Sequence, residues 1–444
     1  MPTTASRTAI AMARRRNPDA AALYLLGLTL PFPLLGVPLN ELFTLSLCSV
    51  VGLIFAARRL ARRGWQPLHG AAAAMLLAFA GTAVMRHPFS SYVLSLGALA
   101  MALLPLTTPA LNQAEMRVLM RGLMAGLWLT LASVALAILI QLWQWHGALG
   151  PLAPLFVRPE ETGVFLGYIR PVGGFSEPSH LAIYLAAVYV ILDLRARLRS
   201  APVAPRVAVA LAIVFTGSVS GLLLFGVYVA ARMFGSLWRM VFVNFSGVTL
   251  LRGALAAGLL LGVALSLGPS ASGFTDEYTA RLVKTLDDIE SQNLVGSEGS
   301  RVNAVLALPD YWESKGWPGF AMGTGYANYQ SWLQDNYGYL GDNATFSRGG
   351  IDSILIAVFL STGALGFVAY LAFLYRALSG PVVRAHVALV LFILALNLSY
   401  GYLISSLYWT LLFVLFAAAR LTIPARAPAP AARARRPARR PLRA

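Results

Sequence analysis

One stretch of eleven residues holds an unusual concentration of polar and charged side chains for this apolar chain. It runs from Arg170 to His180 and reads Arg-Pro-Val-Gly-Gly-Phe-Ser-Glu-Pro-Ser-His, and an apolar run follows over 181–192. Arginine stays charged, and its planar fork can pair with an anion. The N-terminus of the helix that follows also favours an anion. Serine, glutamate and histidine side chains stand beside them, so this stretch is the first candidate for a functional site.

The same stretch also has a purely structural interpretation, a glycine turn followed by a capped helix. Pro178 can open the helix, because its missing N–H falls where helices have unpaired donors anyway. Ser176 or Glu177 can cap that helix, whose N-terminus favours an anion. Glu177 could instead form an ion pair with Arg170. The residues themselves leave both interpretations open.

The composition is that of a membrane protein. Of the 444 residues, 58% are hydrophobic and 12% are charged, whereas a soluble protein carries about 25% charged residues. Apolar runs of roughly 18–25 residues recur, and runs of this length span a bilayer as helices. We predict an all-α polytopic integral membrane protein with about twelve transmembrane helices. The lone Cys48 and five scattered histidines have no metal-ligand spacing, and no Asp-x-Asp occurs, so no metal is expected.

The uneven distribution of charge predicts the topology. With twelve spans, 27 of the 35 basic residues and three of the 18 acidic residues fall on the side that holds both termini. Because positive charge stays inside, the termini are predicted to be cytoplasmic and the long loops external. The second span is predicted at 39–57. A pair at 206–220 and 221–235 is interrupted by glycines.

The chain divides into five regions on this interpretation. A basic cytoplasmic N-terminus precedes nine spans, an external loop of about eighty residues, three further spans and an Arg/Pro/Ala tail that cannot bury a core and is predicted to be disordered. Their bounds are 1–19, 20–268 with a first external loop at 146–178, 269–350, 351–419 and 420–444.

The large loop at 269–350 is predicted to have its own structure. Helical spacing over 274–289 predicts one helix, and a second short helix is predicted after Ser300, which Pro309 should end or kink. The loop then carries aromatic rings that can stack on sugars or pack a small core: Trp312, Trp317, Tyr326, Tyr329, Trp332, Tyr337 and Tyr339. Its acids outnumber its basic residues, which argues against nucleic-acid binding.

Four stretches of this polytopic chain resemble one family. The first is Gly-Gly-Phe-Ser-Glu-Pro-Ser-His after an arginine, at 170–180. The others are Gly-Ala-Leu-Gly at 363–366, Gly-Thr-Gly at 323–325 and Thr-Gly-Ser-Val-Ser-Gly at 216–221. Together they resemble the Wzy-type polymerases of bacterial surface polysaccharides, which belong to a wider family with the O-antigen ligases. The resemblance covers roughly residues 160–370.

The resemblance implies a GT-C-like membrane enzyme of the bacterial inner membrane, with its large loop in the periplasm. Such an enzyme is a metal-independent glycosyltransferase without a cofactor. It transfers a growing glycan from undecaprenyl diphosphate to the next lipid-linked repeat unit. Its partners are the undecaprenyl-diphosphate-linked oligosaccharide, the bilayer, a chain-length regulator and a flippase, and no nucleic acid.

This chemistry needs a cation for the leaving diphosphate and a group that positions or deprotonates the acceptor hydroxyl. Arg170 ranks first for the diphosphate, followed by Arg348 and Arg301. Glu177 is the first candidate base, with Asp352 and His180 behind it, although positioning alone can carry much of such a transfer. The candidate substrate-binding residues are Ser176, His180, Gly323, Gly325 and Tyr326.

Two other functions stay open. O-antigen ligases resemble this chain, but they carry a histidine about eleven residues before the glycine that corresponds to Gly363, where this chain has Asp352. A flippase or other transporter of lipid-linked sugars suits twelve spans equally well. It predicts polar groups at mid-membrane and internal repeats, whereas the sequence has almost no charge within its spans.

Overall fold

The computed structural model describes residues 18–33, 36–40, 43–84, 89–108, 111–142, 164–165, 168–175, 177–197, 203–242, 305–324, 326–337, 353–378, 380–400 and 406–422. Residues 283, 287 and 290 are also described, and they are helical, in the region where the spacing predicts a helix. The predicted span that ends at 268 and the predicted disorder of the tail lie outside the described residues.

Helices dominate the described part of the chain. In order they are α1 (Pro18–Thr29), α2 (Leu47–Arg63), α3 (Pro67–Val84), α4 (Phe89–Thr107), α5 (Gln113–Leu142), α6 (Pro178–Ala196), α7 (Ala204–Phe215), α8 (Val219–Phe242), α9 (Leu308–Met322), α10 (Tyr326–Tyr337), α11 (Ile354–Leu378), α12 (Gly380–Ala385), α13 (Val387–Ser399) and α14 (Ser406–Leu421). Two antiparallel strand pairs accompany them, β1 (Gly36–Asn40) with β2 (Phe43–Ser46), and β3 (Val164–Phe165) with β4 (Tyr168–Ile169).

The helices confirm a helical membrane protein. Three of them are long and apolar enough to cross a bilayer, over Gln113–Leu139, Pro178–Ala196 and Ile354–Leu378, and several shorter apolar helices surround these three. The count of twelve spans stays a prediction.

The second predicted span was placed wrongly at its start. A hairpin of β1 and β2 occupies the residues before α2, which begins at Leu47 instead of 39. The helix starts where a cap is available, because the Ser46 hydroxyl accepts the N–H of Ser49 over 3.1 Å.

Helix α6 lies at the centre of the bundle. Nearly all of its residues from Leu181 to Leu194 are buried, and it packs against α7, α8 and α14. Helix α14 is the second central element, since its residues from Leu407 to Ala419 are also buried. The eleven-residue stretch therefore lies at the start of one of the two central helices, and several neighbouring helices hold that helix in place.

Helices α1 and α5 approach closely through glycines. A Cβ at Gly27 would lie 2.5 Å from the carbonyl oxygen of Leu119, and one at Gly122 would lie 2.8 Å from the carbonyl carbon of Tyr24. Small residues of this kind let helix backbones pack in lipid, where burial of apolar surface provides no net force between helices.

The first turn of α5 is fixed by a capping box and an ion pair. Glu115 accepts the N–H of Asn112 over 2.9 Å, while the side chain of Asn112 accepts the N–H of Glu115 over 2.9 Å. The buried guanidinium of Arg59 on α2 pairs with the same carboxylate. This pairing attaches α2 to the first turn of α5.

Candidate functional site at one end of the bundle

The half-buried Arg170 follows β4 and reaches the end of α7. Its Nε donates a hydrogen bond to the carbonyl oxygen of Thr216 over 3.0 Å. Thr216 is the C-cap of α7, where the last carbonyls lack partners within the helix and carry the negative end of its dipole. A guanidinium is favoured at such an end. Arg170 thus joins the first external loop to the break between α7 and α8.

The break itself confirms the predicted interruption by glycine. Gly217 has a φ of 59°, an angle that residues with a side chain rarely adopt, and it separates α7 from α8. The Thr216 hydroxyl donates to the carbonyl of Ile213 over 2.6 Å. Four residues further on, a Cβ at Gly221 would lie 3.2 Å from the Cα of Ala182. The small residue lets α8 lie directly against α6, so the first and the last of the four stretches are neighbours.

The glycine turn of the loop is packed into the bundle. A Cβ at Gly174 would lie 2.6 Å from Cδ1 of Phe32, so the turn rests on the end of α1. Val172 and Phe175 are buried, and the ring of Phe175 packs on Tyr184 of α6 at 5.4 Å. These contacts fix the backbone on both sides of the candidate residues.

Helix α6 begins at Pro178, as predicted, and Glu177 stands at its N-cap position. The predicted capping bond from the Glu177 side chain is absent. Its Oε2 instead accepts a hydrogen bond from the Ser179 hydroxyl over 2.9 Å. The half-buried carboxylate is therefore oriented by a hydroxyl two residues away. Ser176, the other predicted cap, lies outside the described residues.

His180 connects the first turn of α6 to the last part of the chain. Its ring meets the ring of Tyr400 edge-on at 5.6 Å. Tyr400 follows α13, and its carbonyl oxygen accepts the N–H of Ile354 over 2.7 Å, at the first residue of α11. The beginnings of α6 and α11 are therefore held at the same end of the bundle as the end of α13.

The two remaining stretches meet at a backbone crossing. Helix α11 is broken at Gly363, whose φ is 64°, and α9 ends at Gly323, whose φ is 75°. A Cβ at Gly323 would lie 2.6 Å from the N of Gly363, and one at Gly363 would lie 2.5 Å from the carbonyl oxygen of Ala321. The N–H of Thr324 donates to the carbonyl of Leu360 over 2.9 Å, so the large loop satisfies a carbonyl at the break.

Residues 305 and 306 are helical, Ala307 is a turn and α9 begins at Leu308, so the helical stretch is interrupted just before Pro309, where the sequence predicts an end or a kink. Pro309 stands in the first turn of α9, where its missing N–H costs no helical hydrogen bond. Helix α9 itself is kinked at Gly316, whose φ is 65°.

Most described aromatic rings of the large loop form a core. Tyr311 and Tyr329 are fully buried, with Trp312 and Trp332 packed around them against Leu360 of α11. Their ring centroids lie 4.8–6.1 Å apart. Trp317 is different, since 74% of its surface is exposed. Packing, rather than sugar stacking, thus accounts for the four core rings, and Trp317 keeps a free face.

Several predicted residues lie outside the described residues, and the structure does not test them: Arg301, Arg348, Asp352, Ser176 and Gly325. Tyr326 opens α10. Ser353, next to Asp352, donates to the carbonyl of Asn397 over 3.3 Å. This bond holds the start of α11 to α13.

The sequence reasoning missed a buried polar network behind this end of the bundle. The Oδ1 of Asn397 accepts the hydroxyls of Tyr408, over 2.8 Å, and of Tyr370, and the two hydroxyls lie 2.9 Å apart. Tyr408 also stacks on Tyr400, the ring beside His180. An asparagine within an apolar run was the available signal, because a buried amide in lipid needs partners.

The arrangement joins the four sequence stretches in two pairs. Arg170 contacts the α7–α8 break, and Gly323 contacts Gly363. The contacts of His180 with Tyr400 and of Tyr400 with Ile354 connect the first pair to the start of α11, the helix that carries Gly363. Within the described residues, no group of three His, Cys, Asp or Glu side chains could hold a metal ion. No family model and no curated protein matches the chain. The function is therefore inferred from these four stretches and from their geometry.

Proposed function

We propose that the protein is a polymerase of a bacterial surface polysaccharide. It transfers a growing glycan from undecaprenyl diphosphate to the next lipid-linked repeat unit, without a metal, on the periplasmic side of the inner membrane. The observation that carries the proposal is that the four stretches that resemble Wzy-type polymerases contact each other in two pairs, Arg170 with Thr216 and Gly323 with Gly363. The members of each pair are about forty residues or more apart in sequence, and accidental matches would not be expected to lie in contact.

The proposed reaction breaks the bond between the anomeric carbon of the glycan and the diphosphate oxygen. The acceptor hydroxyl oxygen forms the new glycosidic bond, and its proton is transferred to Glu177. The diphosphate leaves with its negative charge, which the guanidinium of Arg170 stabilises. This charge develops in the transition state, where a fixed cation accelerates the reaction most.

The contact between Arg170 and Thr216 supports this role through preorganisation. One nitrogen, Nε, is committed to the helix end over 3.0 Å, which fixes the plane of the guanidinium. A group held in this way does not lose rotamer freedom when the diphosphate binds. The bond from Ser179 to Glu177 orients the proposed base in the same manner.

The proposal extends to the topology. Twelve spans would place both termini in the cytoplasm, with the loops at 146–178 and 269–350 on the periplasmic side. Arg301 and Arg348 would then be available as further diphosphate ligands, with Ser176, His180, Gly323, Gly325 and Tyr326 around the glycan. A chain-length regulator and a flippase are the proposed partners.

The deciding experiment is the glycan profile of a strain that lacks this protein, separated by size and with the lipid carrier identified. A polymerase predicts single repeat units, either on the normal acceptor or on undecaprenyl diphosphate outside the membrane. Long polymer left on undecaprenyl diphosphate would instead identify a ligase. A normal profile with long chains would refute a role as polymerase, ligase or transporter in making the strain's main polysaccharide.

Transport of lipid-linked oligosaccharides is the second candidate. The break of α11 at Gly363 and the Asn397–Tyr370–Tyr408 network favour it, because transporters use broken helices and polar groups within the membrane. In the same glycan profile, this function predicts repeat units trapped on the cytoplasmic leaflet, where added enzymes cannot reach them in intact cells.

A further inference from the structure

Opposite the candidate site, one carboxylate is surrounded by arginines. Asp193 lies near the end of α6, and its Oδ2 accepts hydrogen bonds from Tyr228 over 2.7 Å, from Arg197 over 3.2 Å and from Arg232 over 3.2 Å. Arg206 adds a fourth contact, with its Nη1 3.7 Å from Oδ1. These residues come from the end of α6, the first turn of α7 and the middle of α8, so the cluster joins three helices.

The positive charge of the arginines in this cluster exceeds the negative charge of its one carboxylate. Three guanidinium groups face one carboxylate, and the connecting residues 198–202 contain another arginine and no acid. The other described acids near this end, Asp19 and Glu115, pair with different arginines, Arg62 and Arg59. The described part of the cluster therefore carries an excess of two positive charges.

Arg206 is the least satisfied member. Its Nη1 is too far from Asp193 for a hydrogen bond, and its buried Nε has no hydrogen-bond partner. It stands in the first turn of α7, whose N-cap residue Val203 provides no side-chain cap. The positive end of the helix dipole thus adds to the positive field around Arg206.

The neighbouring His386 lies in the same positive electrostatic field. It lies between α12 and α13, and its Nδ1 accepts a hydrogen bond from Arg197 over 3.2 Å, so the ring is neutral with its proton on Nε2. Burial and the charge of Arg197 lower the pKa of His386 to about 4. A buried imidazole that stays neutral adds no charge to the cluster, but it shows how strongly this place disfavours another cation.

We propose that the Arg197–Arg206–Arg232 cluster binds the phosphate of an anionic ligand, and specifically an anionic phospholipid headgroup. Guanidinium forks pair with phosphate oxygens in a bidentate way, and the arginines remain 24–35% exposed. The apolar helices α6, α7 and α13 end at this level, which is where a bilayer has its headgroups. The site is independent of the proposed transfer reaction.

The test uses the full-length protein in detergent, titrated with phosphatidylglycerol, phosphatidylcholine or inorganic phosphate, with bound molecules counted by native mass spectrometry. We expect phosphatidylglycerol to bind in preference to phosphatidylcholine. Arg206→Gln should weaken this binding about tenfold or more, since a charge-assisted hydrogen bond is lost. Arg206→Lys, which keeps the charge without the fork, should give an intermediate loss.

Arg121→Gln is the matched control, because it removes an exposed arginine from α5 at the same end of the bundle. Equal weakening by Arg121→Gln and Arg206→Gln would overturn the site in favour of general attraction to positive charge. Inorganic phosphate that displaces the lipid at equal concentration would support the phosphate site but overturn its assignment to a lipid. Equal binding of both lipids would overturn the proposal.

Discussion

At the residue scale, Arg170 is the side chain on which the proposed chemistry depends most. Its bond to the carbonyl of Thr216 is consistent with two roles, a helix cap and a preorganised diphosphate ligand. The roles are not exclusive, since the cap uses Nε and a diphosphate would use the terminal nitrogens of the fork. Substitution separates them, because loss of a cap changes stability and loss of a catalytic cation changes the rate.

We predict that Arg170→Ala lowers polymer formation about hundredfold or more at a normal protein level. Arg170→Lys should likewise keep the protein level and recover little activity, since lysine restores a cation without the fork. Arg117→Ala is the control, because the Nε of this exposed arginine also donates to a backbone carbonyl, that of Gln113, over 3.2 Å. Polymer length and protein level in membranes are measured; long chains from Arg170→Ala would remove Arg170 from the site.

For Glu177, replacement by Gln should reduce the rate of chain elongation on the order of hundredfold, because a general base contributes this much or more. The N-cap position is kept, and the Ser179 hydroxyl can still donate to the amide oxygen, so the thermal stability should change little. Elongation is followed in membranes with a labelled lipid-linked repeat unit. Unchanged elongation would leave Glu177 a structural role only.

His386 gives a pH prediction. Burial and the charge of Arg197 lower its pKa from the ordinary 6.5 to about 4 in the folded protein, so the unfolded chain binds more protons between these pH values. The stability contributed by neutral His386 is therefore complete above pH about 6.5 and declines as the pH falls toward about 4. Thermal unfolding of the wild type and of His386→Gln between these pH values tests this. The same slope for both proteins would assign the pH dependence to other groups.

At the element scale, the break of α11 determines how the large loop is attached. A continuous helix would pair the carbonyl of Leu360 internally, whereas here the N–H of Thr324 satisfies it. The cost of breaking a helix in lipid is thereby offset by the end of α9. The core of Tyr311 and Tyr329 then fixes α9 and α10 to the half of α11 before Gly363.

We predict that Gly363→Ala and Gly323→Ala each lower the free energy of unfolding by on the order of 3 kcal/mol. Both residues combine a positive φ with a backbone neighbour where the Cβ would stand. Gly226→Ala is the control, because that glycine lies within α8 with open space around it, and alanine should leave the stability unchanged or raise it. Thermal unfolding in detergent compares the three, and unchanged stability of Gly363→Ala would contradict the crossing.

At the scale of the whole molecule, the candidate site and the arginine cluster lie at opposite ends of the helical bundle. The end with Arg170 and Glu177 is the proposed catalytic face, and the end with Asp193, Arg206 and His386 carries the arginine excess. The central helix α6 connects them, since it begins at Pro178 and ends at Ala196. Its length of 19 residues corresponds to about 28 Å, close to the hydrocarbon thickness of a bilayer.

The topology predicts the behaviour of single cysteines. Cys48 is buried, so the wild type should react little with a membrane-impermeant maleimide. In intact cells, Trp317→Cys on the large loop should be labelled, because Trp317 is exposed, and Trp65→Cys, equally exposed between α2 and α3, should be labelled only after lysis. Labelling of both positions, or of Trp65→Cys alone, in intact cells would contradict the predicted orientation.

The amino-acid sequence by itself determined the class of protein and several boundaries of its helices. Apolar runs predict helices because lipid leaves the backbone no other partners, and Pro178 predicts the start of α6 because proline's missing N–H fits a first turn. Gly217 likewise marks the break before α8. These features are local, so a pattern along the chain is sufficient to find them.

Only the tertiary structure decided which of these features meet. Arg170 and Thr216 are 46 residues apart, and Gly323 and Gly363 are brought together by α9 packing on α11. The hairpin of β1 and β2 before α2 also depended on contacts outside the local pattern. The physical reason is that such contacts are selected by the fit of whole helices, through close backbone approach and buried hydrogen bonds, which no periodicity along the chain encodes.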